Sequence, residues 1–174
     1  DGKVVLVNLQ NNTYETLVDE GKSRMLTVRF TPKGDGLAYG GSDKETKRGF
    51  VRLFDFTTKE TRHFSGHRAG VNDIEFSPDG GLMASAGADK RLLMWVLENP
   101  GDLPITMQNN AGFVWDIAFT KDSDYLIAAC SESEIRVWPT NPSLLAEKIC
   151  PQLKRNMTKD EWEKYVGKEN DISY

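Results

Sequence analysis

Cysteine and histidine are scarce, two of each in 174 residues. Cys130 and Cys150 form no C-x-x-C pair, so neither a disulfide framework nor a zinc site is expected, and both read as reduced, buried small hydrophobes. No metal or cofactor is assigned. Paired acids such as Asp122 and Asp124, or Glu132 and Glu134, have no histidine beside them in sequence and read as solvated loop residues. Positive charge is not in excess either: 22 Lys and Arg stand against 26 Asp and Glu, a formal net charge of −4. The two signs are interspersed, which argues against a nucleic-acid footprint. No apolar run approaches a membrane span, and the opening residues, DGKVVLVNL, have neither a start methionine nor the pattern of a signal peptide. They suggest a segment of something longer, and the expected compartment is the cytoplasm.

What the chain does have is an internal repeat. VNDIEFSPDGGLMASAGADKRLLMWV, from Val71, superposes without a gap on VWDIAFTKDSDYLIAACSESEIRVWP, from Val114, at an offset of 43 residues. Phe76 then falls on Phe119 and Trp95 on Trp138. A further copy begins at Leu26 and aligns Phe30 and Phe54 with Phe76 and Trp95, with an insertion between them. A period of this length marks a repeat architecture.

Each copy consists of apolar or alternating runs of five or six residues, as at Val71 to Phe76, Leu82 to Ala86 and Leu92 to Leu97. Pro, Gly and Asp punctuate them, which predicts strands and tight turns rather than helices. A short closing run follows, Glu60 to Phe64 in one copy and Ile105 to Gln108 in the next. Four strands in a repeat of about 40 to 45 residues match one propeller blade.

These residues resemble the tryptophan-aspartate (WD40) repeat family of β-propellers. The fullest signature is Gly66-His67, then Val71, Ile74 and Phe76, the turn SPDG, and Ser85, Asp89 and Trp95. The resemblance covers roughly residues 1–140 and implies an all-β, partial WD40-type propeller of about three to four blades of four antiparallel strands. It also implies a buried relay in which Asp89 orients His67, His67 bonds Ser85, and Ser85 reaches the Trp95 indole. The dipeptide that names the family is altered to Phe54-Asp55, Trp95-Val96 and Trp138-Pro139. In the last copy the His-Ser-Asp set becomes Asn110, Ala128 and Glu132.

The expected organisation is the end of a preceding blade over 1–20, blades over 21–65 and 66–109, an incomplete blade over 110–140, and a helical tail over 141–174. Sheets of two, four, four and three strands would leave open edges at Val4 to Leu9 and Glu134 to Trp138, and bared faces carrying residues such as Leu6, Ile117 and Phe119. Such surface favours self-association of the segment. In the tail, Asn141 with Pro142 predicts a helix start, with Leu144, Leu145 and Ile149 as its apolar stripe and Pro151 as its stop. Thr158 and Glu161 predict a second helix by a capping box, ended by Gly167, which would pack on the blades through Met157, Trp162 and Tyr165. The tail also resembles that of large bacterial WD-repeat signalling proteins.

His67, Ser85 and Asp89 have the residue types of a hydrolytic triad. Ser85 nevertheless lies mid-strand in LMASAG, away from any exposed nucleophile turn, and the chain has no G-x-S-x-G, so no catalytic residue is assigned. GDGLAYGGSD at 34–43 lacks the Lys-Ser or Lys-Thr of a phosphate loop. Candidate partner-binding residues are Lys44, Lys47 and Arg48 in the charged insertion, Arg68 and Asn72 in the best-matching copy, and Phe113 and Trp115, whose aromatic bulk suits an interface anchor. Strict alternation would send those two aromatics to the side opposite Val114 and Asp116. The function expected is a non-catalytic protein–protein interaction scaffold with no nucleic-acid or membrane partner. The alternative is a sensor or regulatory propeller attached to an upstream enzyme domain, such as a signalling NTPase, kinase or hydrolase.

Overall fold

The computed structural model describes residues 2–99, 101, 103–108, 110 and 112–149. Two compact units divide after Thr140. The first contains a hairpin, β1 (Lys3–Asn8) and β2 (Thr13–Asp19), followed by β3 (Arg24–Phe30), β4 (Gly36–Ser42), β5 (Gly49–Asp55) and β6 (Thr61–Phe64). Next come β7 (Val71–Phe76), β8 (Leu82–Gly87), β9 (Leu92–Val96) and β10 (Ile105–Met107), then β11 (Val114–Phe119), β12 (Tyr125–Cys130) and β13 (Glu134–Pro139). These strands form sheets of two, four, four and three, each a meander in chain order with antiparallel pairing throughout. Of the first strands of the three larger sheets, β7 neighbours both β3 and β11.

The turns explain why the runs stay short. In SPDG, the Ser77 hydroxyl donates to Asp79 and accepts from the Leu82 amide at 2.8 Å, tying the end of β7 to the start of β8. Gly80 supplies the positive φ of 77° that an L side chain resists. Thr120 repeats the device, donating to Asp122 and accepting from the Tyr125 amide.

Packing is face to face. In β8, Met83 lies in the core shared with the β3–β6 sheet, beside Val51, Val71 and Trp95. Its neighbours Ala84 and Ala86 lie in the core shared with β11–β13, beside Val114, Ile117, Leu126 and Ala128. The β7–β10 sheet is thus buried on both faces, which is why LMASAG shows almost no exposed residue and uses small side chains where two sheets close on one strand. Val4, Leu17 and Val18 of the hairpin pack on Leu37, Tyr39 and Phe54 of the β3–β6 sheet. Tyr39 donates to Glu20 at 2.8 Å, and burial together with that carboxylate pushes its phenol up to about 12.

Two expectations need correction. Ile117 and Phe119 are not bared: Ile117 is buried and Phe119 packs against the same core. The open face of the last sheet carries instead Ile127, Ile135 and Val137, while Val28 and Phe30 are exposed on β3. Strict alternation in β11 also fails. The register slips between Val114 and Asp116, so Trp115 is the extra residue of a β-bulge and Ile117, not Asp116, returns to the buried side with Val114. Matching slips occur at Met25/Thr27 and Val71/Asp73, a bulge at the same place in each first strand.

The second unit, described by itself, begins with α1 (Pro142–Ile149). Asn141 caps it, its side-chain oxygen accepting from the Ser143 amide at 2.9 Å. Leu144 is half-buried and Leu145 exposed. The expected second helix, with Met157, Thr158, Glu161, Trp162, Tyr165 and Gly167, lies outside the described residues, as does Cys150. Cys130 is buried on β12.

Candidate functional site

The structure brings His67, Ser85 and Asp89 together. His67 leads out of the turn between β6 and β7, Ser85 is central in β8, and Asp89 sits in the turn to β9. One imidazole nitrogen, Nδ1, lies 3.0 and 3.1 Å from the Asp89 carboxylate oxygens, and Nε2 lies 2.8 Å from Ser85 Oγ. Asp89 also accepts from the backbone amides of Arg68 at 2.7 Å and Arg91 at 3.2 Å. Burial pushes its carboxyl up, but the His67 and Arg68 hydrogen bonds outweigh this and hold it below the usual range. A carboxylate with an acceptor-only surface fixes the tautomer that carries hydrogen on Nδ1, leaving Nε2 to accept from the Ser85 hydroxyl.

The relay ends there. Among the described residues no hydrogen bond joins Ser85 to the Trp95 indole, which corrects the fourth member that the resemblance implied. Trp95 acts by packing: its ring meets Phe64 edge-on at 5.3 Å inside the core between the two four-stranded sheets. Ser85 is fully buried and His67 nearly so. The three polar groups thus tie the turn before β7 and the turn after β8 to the middle of β8 inside the fold.

Sequence reading missed Gly87. A Cβ there would lie 2.6 Å from His67 Nδ1 and 2.7 Å from an Asp89 oxygen, so the relay fits only over a bare α-carbon. The aligned residue one repeat later is Cys130, and there the relay is gone. Asn110 is buried but donates to the carbonyls of Lys90 and Met107 at 3.0 and 3.1 Å, Ala128 is fully buried, and Glu132 is exposed. Trp138 Nε1 is buried without a hydrogen-bond partner among the described residues.

Also missed was a carboxyl that links three sheets. Asp73 on β7 accepts from the Ile117 amide of β11 at 3.1 Å and from Thr27 Oγ1 of β3 at 3.3 Å, and lies 3.3 Å from Arg29. Arg29 also donates to Glu75 at 2.9 Å. Burial, joined by a hydrogen bond with Asp116, pushes the Asp73 carboxyl up to about 6 against the pull of the Ile117 amide and Arg29. The sequence signal available was Asp73 and Asp116 recurring at the 43-residue offset on a strand otherwise destined for the core.

The candidate binding residues scatter along one rim, where the β4–β5, β6–β7 and β10–β11 connections meet by topology. Phe113 and Trp115 are 43% and 55% exposed and contact each other edge to face at 6.0 Å. The Phe113 amide donates to Ser131 Oγ at 3.0 Å, which anchors the pair. Lys44, Lys47 and Arg48 belong to an exposed loop ordered by Asp43, whose carboxylate accepts from the Glu45 and Thr46 amides. Arg68 is exposed. Asn72 is engaged within the fold: its side-chain amide donates to the Val114 carbonyl at 2.8 Å, bridging two sheets.

Against known families, residues 58–96 and 101–139 match the repeat described as "WD domain, G-beta repeat". The two matches start 43 residues apart, and each opens before the closing strand of one sheet and runs through three strands of the next. The chain is 32% identical over 132 residues to "Small ribosomal subunit protein RACK1" of Caenorhabditis elegans, an alignment covering 73% of this chain and 38% of that protein. It is 26% identical over 130 residues to "Small ribosomal subunit protein RACK1y" of Oryza sativa subsp. japonica, covering 73% of this chain and 36% of the relative. It is 29% identical over 92 residues to "WD repeat and SOCS box-containing protein 1" of Homo sapiens, covering 52% and 22%. The chain thus spans well under half the length of these relatives, which are eukaryotic and lend no support to the expectation of a bacterial signalling protein.

Proposed function

Because the chain belongs to the WD40-repeat family, we propose that it serves as a non-catalytic protein-interaction scaffold, the C-terminal part of a larger propeller that holds one rim of loops rigid for a protein partner. One contrast carries the reading: the triad-like hydroxyl of Ser85 is sealed at 0% exposure, whereas Phe113 and Trp115 stand open on the rim. Aromatic side chains held by a stiff sheet lose little freedom on binding and bury large area, which suits them as anchors. A bulge that recurs in every first strand turns Trp115 outward in one sheet and Leu26 outward in another, while Asn72 at the same position is consumed by a cross-sheet bond.

The test pairs binding with catalysis. Proteins cross-linked to the native chain in extracts of its source cells are compared with those cross-linked to a Phe113→Ser, Trp115→Ser double variant. Selective loss of captured proteins, with the circular dichroism spectrum unchanged, supports the rim as the binding surface. Ester hydrolysis by the native chain that disappears in Ser85→Ala would overturn the non-catalytic reading.

The open faces support a second element of the proposal, self-association of the segment. Val28 and Phe30 on β3, and Ile135 and Val137 on β13, are each at least half exposed. Apolar sheet faces beside unpaired strand edges favour pairing between copies. Sedimentation at micromolar concentration is expected to show dimers or larger species, and a strictly monomeric, folded chain would sink this element.

A further inference from the structure

We infer that a groove at the outer end of the β3–β6 sheet is a docking site for an acidic segment of a partner protein. Its origin is a mismatch of strand lengths. β6 pairs only from Thr61 to Phe64 against Phe54 to Val51, so β5 runs on through Phe50 and Gly49 without a β6 partner, and the chain after β6 returns to close on Gly49 at His67 and Ala69. The chain meanwhile leaves β6 through Ser65 and Gly66 toward His67. The space between, about 620 Å³, is lined by Arg48, Arg52, His63 and Arg68 and reached from opposite faces of the sheet by Phe50 and Phe64, which pack on Tyr39 and Trp95 respectively.

Its charge is one-sided. No Asp or Glu lines the groove, although acids outnumber bases in the chain as a whole. Arg52 is already engaged, paired with Glu20 and stacked over Phe50 at 5.2 Å from the ring centre. Arg48 and Arg68 are exposed, and among the described residues neither guanidinium forms an ion pair. The backbone beneath each is fixed: Asp43 donates its amide to the Arg48 carbonyl at 2.9 Å, and the Arg68 amide is bound to Asp89. Two guanidiniums on fixed backbone, in a lining without an acid, match a peptide segment that carries successive carboxylates. Each carboxylate can accept a forked pair of hydrogen bonds from one guanidinium. The relay contributes indirectly, since it holds the turn that carries Arg68.

This inference rests on the scaffold reading and narrows it to a partner chemistry. The probe is a short fluorescein-labelled peptide of glutamates interrupted by leucines, titrated by fluorescence anisotropy into the whole chain, with the same peptide built on lysine as control. Saturable binding of the acidic peptide is expected, weakened about tenfold or more by Arg48→Gln with Arg68→Gln and little changed by Lys121→Gln on the opposite rim. Each arginine is also replaced singly, so that one folded variant suffices for the comparison. Absent binding, equal binding of the lysine peptide, or equal binding by folded arginine variants would overturn the site. Displacement of the peptide by millimolar inorganic phosphate, or tighter binding of an oligonucleotide, would also overturn it, by showing an anion site without peptide selectivity. Failure here with the Phe113 and Trp115 dependence intact would leave the scaffold reading standing.

Discussion

The β7–β10 and β11–β13 sheets come from the same repeat, yet they are stabilised differently. The first is sandwiched between two sheets and carries the His67–Ser85–Asp89 relay. The second is covered on one described face, has lost all three relay residues, and keeps a buried indole nitrogen unpaired. Their turns and their bulges are nonetheless the same. The backbone of a blade is therefore specified by turn chemistry and apolar pattern, which both copies keep. The relay is a separate layer that fastens the turn before β7 to the turn after β8.

The largest effect that would break this comparison is removal of the histidine. His67→Ala leaves the buried Ser85 hydroxyl without a partner, at about 1–3 kcal/mol for an unsatisfied group, and takes the imidazole from Asp89, which keeps its two backbone amides. A total loss of about 2–4 kcal/mol is expected in urea unfolding. Asn110→Ala, at the aligned position, removes two bonds to backbone carbonyls and is expected to cost about 1 kcal/mol. Equal losses at the two positions would mean that the relay adds nothing to its blade.

The next effect depends on pH and concerns the joint between the two sheets. The Asp73 carboxyl titrates near 6 in the fold, above its ordinary 3.8, so the folded state holds the proton more tightly than the unfolded chain does. That contribution is fully present below about pH 4 and is lost as pH rises through 6. Asp73→Asn keeps an acceptor for the Ile117 amide and cannot ionise. Its stability relative to the native chain is expected to climb between pH 4 and 7 by at most about 3 kcal/mol. A flat difference across that range would show that Asp73 ionises at no cost between the sheets.

Much of this was legible in the sequence. The 43-residue offset and the strand count in each sheet follow from spacing and turn chemistry, because period-2 apolar runs and Pro-Asp-Gly turns are local signals, whereas the relay was implied by the family resemblance. What was not legible needs three dimensions. A bulge changes which residues share a face without changing composition, so the open face was assigned to Ile117 and Phe119 rather than Ile127, Ile135 and Val137. Gly87 reads as one more turn glycine until His67 and Asp89 are seen filling the space of its missing Cβ. Asp73 shows its role only when β3 and β11 are placed on either side of β7.

Gly87 sharpens the comparison further. Gly87→Cys copies the residue found one repeat later, and its new atoms collide with the imidazole and the carboxylate. Overpacking of this kind costs about 1–3 kcal/mol. A fall in thermal midpoint is expected in the native background. In a His67→Ala background the same change should cost less, because the imidazole contact is gone and only the one with the Asp89 oxygen remains. Equal cost in both backgrounds would mean that the glycine serves the backbone and not the relay.

The smallest expected difference lies in the turns. Ser77 and Thr120 occupy matching places, each donating to an Asp two residues on and accepting from the amide that opens the next strand. Ser77→Ala and Thr120→Ala each leave one amide without its partner, at about 1 kcal/mol. The two losses should agree within about 0.5 kcal/mol in urea titrations, because the bond is local and depends little on which sheets lie beyond it. A much larger loss at the buried Ser77 would show that the surrounding core amplifies the turn. The comparison would then have to be redrawn around burial, with the relay as one instance of a polar group made costly to lose by the two sheets that enclose it.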